Sequence, residues 1–341
     1  MKKILIIGAG AMGSAFSIPC AENNNDVTII GSVLEDDFIS SIKSNKNLHP
    51  SLNVVLPNNI KIEKFEKISS ATDKNLDLIV VAVSSVGIDW VGDEISKFYL
   101  ANTPIILLTK GLSIIDDQLT TLTEKLEMIL KKNGHKNINI SSVKGPCLAS
   151  GLANKIRTGT IIANKNIKEA QKIQNIIQTE YYKCEISDDI EGVEISSAIK
   201  NLYSMLIGGS QGLSNPTASK EIQEKYYLNT AASLIHRSIS EMVEIVNEYA
   251  GKTDTVYGLA GLGDIYVSVS GGRNSQMGKY LGQGYLYKEA KEKFNLIGNS
   301  KPMSFLKKLR KSFRYSLQIP IREITRKKHT MTFNHHKKNF P

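Results

Sequence analysis

Through the first half of the chain, short apolar runs rich in Ile and Val alternate with longer polar stretches; the runs occupy residues 4–7, 27–30, 78–83, 105–108, 138–143 and 160–163. Runs that stay apolar at successive positions read as strands buried on both faces, the habit of parallel sheets. Between them, residues 119–132 and 168–179 carry apolar positions at helical spacing. The alternation predicts an α/β doubly wound sheet over residues 1–187. From Ile190 the period lengthens. Val193, Ile195, Ile199, Leu202 and Met205 form one stripe, and Leu228, Ala231, Leu234, Ile235, Ile239, Met242 and Val243 another, which predicts an all-α domain over residues 188–341. Asp188, Asp189 and Glu191 suit a linker and the first turn of a helix, where the dipole favours carboxylates.

Composition narrows the class. With 341 residues and 41% apolar content the chain can bury two cores. Cys20, Cys147 and Cys184 are odd in number and widely spaced, giving neither a disulfide framework nor a metal-ligand pattern, so a reducing cytoplasm is expected and no metal. The start, Met1-Lys2-Lys3 followed by Ile4 to Ile7, imitates a secretion signal, but Gly8, Gly10 and Gly13 interrupt the apolar run. No stretch is long and apolar enough for a transmembrane segment. The net charge of +10 is uneven: from Tyr285 onward there are 15 Lys and Arg against 3 Asp and Glu, leaving 28 against 30 in the rest. A near-neutral body argues against a nucleic-acid platform.

The candidate chemistry starts with Gly8-Ala9-Gly10-Ala11-Met12-Gly13, which lies between an apolar strand and a helix-forming run. In that setting Gly8 permits a tight turn, Gly10 lets backbone approach a pyrophosphate, Gly13 allows close helix-strand packing, and the helix N-terminus supplies amide donors, Ala11 and Met12 among them. This predicts a Rossmann-type domain holding NAD or NADP. After the second strand, Glu35 turning back would grip ribose hydroxyls and Ser32 would suit a 2′-phosphate; solvated loop residues are the bland alternative, and the nucleotide preference stays open. Lys110, after a later strand, is placed to meet an anion, and Gly145-Pro146-Cys147, leading to Ala149, forms a second loop on the same rim. Lys200 and Asn201 interrupt an apolar helix stripe, an odd place for a charge that is neither paired nor functional. Asp264 closes a glycine-rich turn, and Gly272-Arg273-Asn274 offers a guanidinium and amides suited to phosphate.

In their order these motifs resemble the NAD(P)-dependent glycerol-3-phosphate dehydrogenase family over residues 1 to about 284: Gly8 to Gly13, Thr109-Lys110-Gly111, Gly145-Pro146, Gly192-Val193-Glu194 with Lys200-Asn201, Gly258 to Asp264, and Arg273-Asn274. The resemblance implies reversible hydride transfer between dihydroxyacetone phosphate and sn-glycerol 3-phosphate for phospholipid precursor supply, in a cytoplasmic homodimer. It implies Lys200 and Asp264 as catalytic residues. Lys110, Gly145, Asn201, Gly272, Arg273 and Asn274 would hold the small phosphorylated substrate. Gly8, Gly10, Ala11, Met12, Gly13, Ser32, Lys110, Ala149 and Arg273 would hold the cofactor. Departures are Cys147 where the family commonly has serine, Ala11-Met12 in the fingerprint, and the region after Gly284, where the Val-Glu-Gly element is absent. A reductase of a 2-oxo acid of the ketopantoate kind, and a cofactor-binding remnant acting through its basic tail, are the competing readings. The tail leaves three readings open: a diverged closing helix, a disordered or altered end, and an acquired binding segment. If helical, Phe305, Leu306, Leu309 and Phe313 with Lys307, Lys308, Arg310 and Lys311 would make a basic amphipathic helix.

Overall fold

The computed structural model describes residues 1–72, 75–213 and 227–293. The candidate tail helix around residues 305–313 lies outside them. Two compact units emerge: one holds residues 1–201 and 236–270, the other residues 202–235 and 271 onward, as far as these are described. Two of the three boundaries fall inside long helices, Ile190–Gly212 and Leu228–Glu248.

The first unit is built on an eight-stranded sheet in the spatial order Tyr182–Ser187, Thr158–Ala163, Asn139–Lys144, Pro104–Leu107, Leu78–Val81, Lys3–Ile7, Asp26–Ile30, Ile60–Glu63. Strand alternation sorts the apolar residues to two faces. Ile4, Ile6, Val27, Ile29 and Val80 pack with Phe16, Ile39 and Ile173 on one face; Leu5, Ile7, Ile30, Ile79 and Val81 pack with Ile88, Val91, Leu126 and Leu130 on the other. All six apolar runs become strands, and Ile60–Glu63 and Tyr182–Ser187 join them as edge strands whose alternating pattern gave a weaker signal.

Two expectations need correction. The sheet is mixed, because Thr158–Ala163 runs antiparallel to Asn139–Lys144. The connection between them holds only the five-residue helix Ala149–Ala153, too short to carry the chain back to the starting end of the sheet, so the next strand sets off from where the last one ended. The helix expected from residue 119 starts at Leu122. Asp116 and Asp117 take left-handed φ values of 48° and 61°, closing a hairpin between Leu112–Ile115 and Gln118–Thr121. The Thr121 side chain then caps the helix by accepting from the Glu124 amide.

The strand order reverses between Lys3–Ile7 and Leu78–Val81: one neighbour of the first strand comes next in the chain, the other arrives after two further helices. Such a switch point opens a crevice beyond the carboxyl ends of the strands, and Gly8 lies at its mouth.

In the second unit, the end of helix Ile190–Gly212 crosses helix Arg273–Gly282 at backbone contact. A Cβ on Gly278 would lie 1.9 Å from the Met205 carbonyl oxygen, and one on Gly208 would lie 2.1 Å from that of Ser275. Beside the crossing, Met277 and Ala290 are buried against Met205, Tyr280, Leu281, Tyr285 and Tyr287. Replacing Gly278 with Ala forces backbone apart, and we expect a loss of about 1–3 kcal/mol, read as a lower denaturant midpoint than that of the parent chain.

Candidate active site

At the switch point two of the fingerprint glycines, Gly8 and Gly13, have no room for side chains. Gly8 adopts φ +114°, and a Cβ there would lie 2.8 Å from the Ala82 carbonyl oxygen; one on Gly13 would lie 2.2 Å from the Gly8 oxygen. The Gly8 amide donates to Ile30 O at 2.8 Å, tying the turn to the second strand. Helix Ala11–Glu22 starts from Gly10 with no side-chain cap, so no side chain competes for the first-turn amides of Ala11, Met12 and Gly13. This is the cradle that a dinucleotide pyrophosphate requires, and the residues present fit NAD or NADP. Ala149 begins the short helix beyond Gly145, and Ser32 follows the second strand, its amide donating to Glu35 Oε2 at 2.7 Å.

The reactive cluster lies in the same unit. Lys110 follows strand Pro104–Leu107, in a loop fastened by a bond from Thr109 Oγ1 to Val83 O at 2.7 Å. Lys200 sits in helix Ile190–Gly212, whose start is fixed by Asp189: its carboxylate accepts from Gly192 N at 2.9 Å, from Lys252 N at 2.9 Å and from Thr255 Oγ1 at 2.5 Å. Asp264 opens helix Asp264–Gly271, directly after the glycine-rich turn. Those elements converge on one carboxylate. Asp264, 2% exposed, accepts from Lys200 Nζ through Oδ1 at 2.7 Å and from Lys110 Nζ through Oδ2 at 2.5 Å. Lys200 Nζ also donates to Ser268 Oγ at 2.5 Å, Ser197 Oγ to Asp264 Oδ2 at 3.2 Å, and Lys110 Nζ to Gly145 O at 3.1 Å.

One carboxylate cannot neutralise two ammonium groups, and this shapes the acidity. Burial, followed by the like charge of Lys110, lowers the Lys200 pKa from 10.5 to about 8, against the opposing pull of Asp264. A lysine that titrates near neutrality can both give and take a proton. Cys147, in the adjoining loop, is pushed the other way, to about 12, chiefly by burial, so its thiol stays protonated.

A second charged centre joins Lys144, which stands in none of the motifs, to Glu194 of the Gly192-Val193-Glu194 element, for which no role was expected. Lys144 and Glu194 are fully enclosed, 3.3 Å apart, with Lys144 Nζ donating to Leu107 O at 3.0 Å. Glu194 accepts from Ser142 Oγ at 2.8 Å, from Thr123 N at 3.0 Å and from Thr123 Oγ1 at 2.8 Å. The available signal was a charge in an apolar run: Lys144 ends a buried strand, and Glu194 sits between Val193 and Ile195. Ser197 and Ser268 were also readable, three residues before Lys200 and four after Asp264, hence on the same helix faces.

Of the predicted residues, Lys110, Gly145, Lys200 and Asp264 come together in the first unit. Asn201 is half-buried next to Lys200. Gly272, Arg273 and Asn274 belong to the second unit, where Gly272 caps helix Arg273–Gly282 and Arg273 is exposed.

Comparison with known proteins decides the family. The model for the N-terminus of NAD-dependent glycerol-3-phosphate dehydrogenase matches residues 3–170, and the model for its C-terminus matches residues 189–329. The chain belongs to the NAD(P)-dependent glycerol-3-phosphate dehydrogenase family. Family likeness thus extends beyond Gly284, into a region where no single motif carries it. Relatives include the NADP(+)-dependent glycerol-3-phosphate dehydrogenase of Archaeoglobus fulgidus, 32% identical over 296 residues, 86% of this chain and 84% of that one. The glycerol-3-phosphate dehydrogenase [NAD(P)+] of Fusobacterium nucleatum is 32% identical over 328 residues, 95% and 91% of the two chains. The crystal structure of glycerol-3-phosphate dehydrogenase from Coxiella burnetii shares the fold, with a TM-score of 0.77, 22% identity, and 96% and 95% of the chains covered. Membership in this family decides against the 2-oxo-acid reading.

Removing one partner of the enclosed pair leaves the other charge stranded. We expect Glu194→Ala to cost about 3–5 kcal/mol, measured by chemical denaturation, and a Lys144→Met, Glu194→Leu double variant to recover most of it.

Proposed function

We propose that this chain reversibly reduces dihydroxyacetone phosphate to sn-glycerol 3-phosphate, with Lys200 as the acid/base. The observation that carries this reading is the Lys200–Asp264–Lys110 cluster, with Lys200 and Asp264 buried and Lys110 partly exposed, beyond the carboxyl ends of the strands. The bound nicotinamide supplies the hydride. As the carbonyl oxygen gains negative charge, the Lys200 ammonium gives it a proton, and the alcohol is formed; in the reverse direction the Lys200 amine takes the hydroxyl proton. Asp264 holds Lys200 through Oδ1 and Lys110 through Oδ2. The excess positive charge of the cluster favours an anionic substrate and the developing oxyanion.

The remaining roles belong to the same proposal. Lys110, Gly145, Asn201, Gly272, Arg273 and Asn274 position the substrate, with Arg273 and Asn274 assigned to its phosphate because a guanidinium grips two oxygens at once. Gly8, Gly10, Ala11, Met12, Gly13, Ser32, Lys110, Ala149 and Arg273 serve the cofactor. Residues 1–187 carry the dinucleotide and residues 188–341 the substrate-handling part. The three cysteines are all free, in keeping with a reducing cytoplasm, and no helix among the described residues is long and apolar enough to cross a membrane. The working form is a homodimer feeding glycerophospholipid synthesis.

Lys200→Ala should lower dihydroxyacetone phosphate reduction by about 10²–10⁴ while leaving cofactor binding intact; unchanged turnover removes Lys200 from the chemistry. The pKa near 8 has a directional consequence. Reduction needs the ammonium, so its kcat/KM should fall as pH rises through about 8. Oxidation needs the amine and should rise over the same interval. Paired pH profiles of the two directions check this.

A further inference from the structure

The Glu35 carboxylate is turned toward the fingerprint loop. Strand Asp26–Ile30 ends beside Gly8, and the chain then passes through Gly31 and Ser32 to Glu35, where helix Asp36–Ser44 begins. A glutamate at a helix start usually serves its own helix, but the Glu35 side chain makes no cap bond there. Instead, Oε2 accepts from the Ala9 amide at 3.2 Å and from the Ser32 amide at 2.7 Å. The Ala9 carbonyl is held as well, by Ser14 Oγ at 2.9 Å and by His49 Nε2 at 3.3 Å. His49 Nδ1 accepts from Leu52 N at 3.2 Å, which leaves the proton on Nε2 and the ring neutral. Burial lowers the His49 pKa in the same sense. Segments 8–10, 32–35 and 49–52 are therefore linked around one negative charge.

Both bonds to backbone fall on Oε2. The other oxygen, Oε1, lies beside Gly10, 3.7 Å from where a Cβ on that glycine would stand. A carboxylate can accept about four hydrogen bonds, so Oε1 retains its capacity to accept, at the carboxyl end of the second strand, where a dinucleotide site receives the adenosine ribose. The helix that follows adds negative rather than positive charge at its start. Asp36 and Asp37 follow directly, and Lys43 of the same helix is paired with Glu63 at 2.7 Å.

Resting on the proposed dehydrogenase reading, we propose that Glu35 sets the nucleotide preference of this chain: Oε1 accepts the 2′- and 3′-hydroxyls of the NAD(H) ribose, and the negative charge repels the 2′-phosphate of NADP(H). Glu35 arrives five residues after the strand ends, late for the usual ribose acid, and reaches back to the crevice through its side chain. Ser32, the candidate for a 2′-phosphate, has its amide committed to Glu35.

Equilibrium titration of NADH and of NADPH, followed by nicotinamide fluorescence without substrate, tests this. Wild-type protein should bind NADH at least about tenfold more tightly, the scale of one charge-assisted hydrogen bond. Glu35→Gln preserves an oxygen for the Ala9 and Ser32 amides but loses the charge, so the ratio should contract to within about threefold, mainly through tighter NADPH binding. A purely structural role moves both affinities together and leaves the ratio in place, and that result overturns the proposal. So does equal or tighter NADPH binding by the wild type, even if Glu35→Gln fails to fold. In both overturning cases dihydroxyacetone phosphate reduction persists, and the dehydrogenase reading stands. Failure of the wild type to bind either dinucleotide overturns both readings.

Discussion

One buried carboxylate, shared between two lysines, is the interaction around which the first unit is organised. Asp264 is nearly inaccessible, and an isolated charge at such depth costs several kcal/mol. It is tolerated because Lys200, Lys110 and Ser197 all donate to it. The arrangement demands three backbones in register: the loop after Pro104–Leu107, the helix from Ile190 and the turn before Asp264. Each has its own fastening, in the Thr109 bond to Val83, the Asp189 cap, and the packed glycines of 258–263. A Cβ on Gly261 would lie 2.0 Å from the Val256 oxygen, so that turn closes only around glycine.

Burial, and after it the excess of one ammonium over one carboxylate, also gives the site its reactivity. A lysine in water stays protonated well past neutrality, whereas burial, followed by the charge of Lys110, lowers the Lys200 pKa to about 8. Behind it, Lys144 and Glu194 form a closed pair with neither solvent contact nor a free partner, in which burial lowers the lysine pKa while Glu194 pulls it up. The two lysines differ in company: Glu194 serves Lys144, whereas Asp264 is divided between Lys200 and Lys110. Enclosure suits a pair, and division suits a proton that must move.

The glycine fingerprint works by the same close approach. Gly8 and Gly13 bring the first helix onto the first strand and onto Ala82, with no space left for side chains, and Gly10 leaves its Cα face toward Glu35. The cradle thus forms at the point where the strand order reverses, which the sheet topology creates and the glycines keep open.

Local pattern determined much of this protein by itself. Short apolar runs rich in Ile and Val, bounded by glycine and polar residues, read as buried strands, and their alternation with helical stretches points to a doubly wound sheet. Glycines at fixed offsets marked the cofactor turn because backbone conformation is a local property. Lys110, Lys200 and Asp264 were legible as charges in apolar or glycine-rich settings. What tertiary structure alone decided is how charges far apart in sequence meet. That Asp264 is divided between Lys110 and Lys200, that Lys144 finds Glu194, and that Glu35 turns to the Ala9 amide depend on loops meeting across the sheet, at separations of 26 to 154 residues. The antiparallel strand Thr158–Ala163 was hidden for a related reason: an apolar run shows that it is buried but not which way it runs, and direction follows from the length of chain available to return.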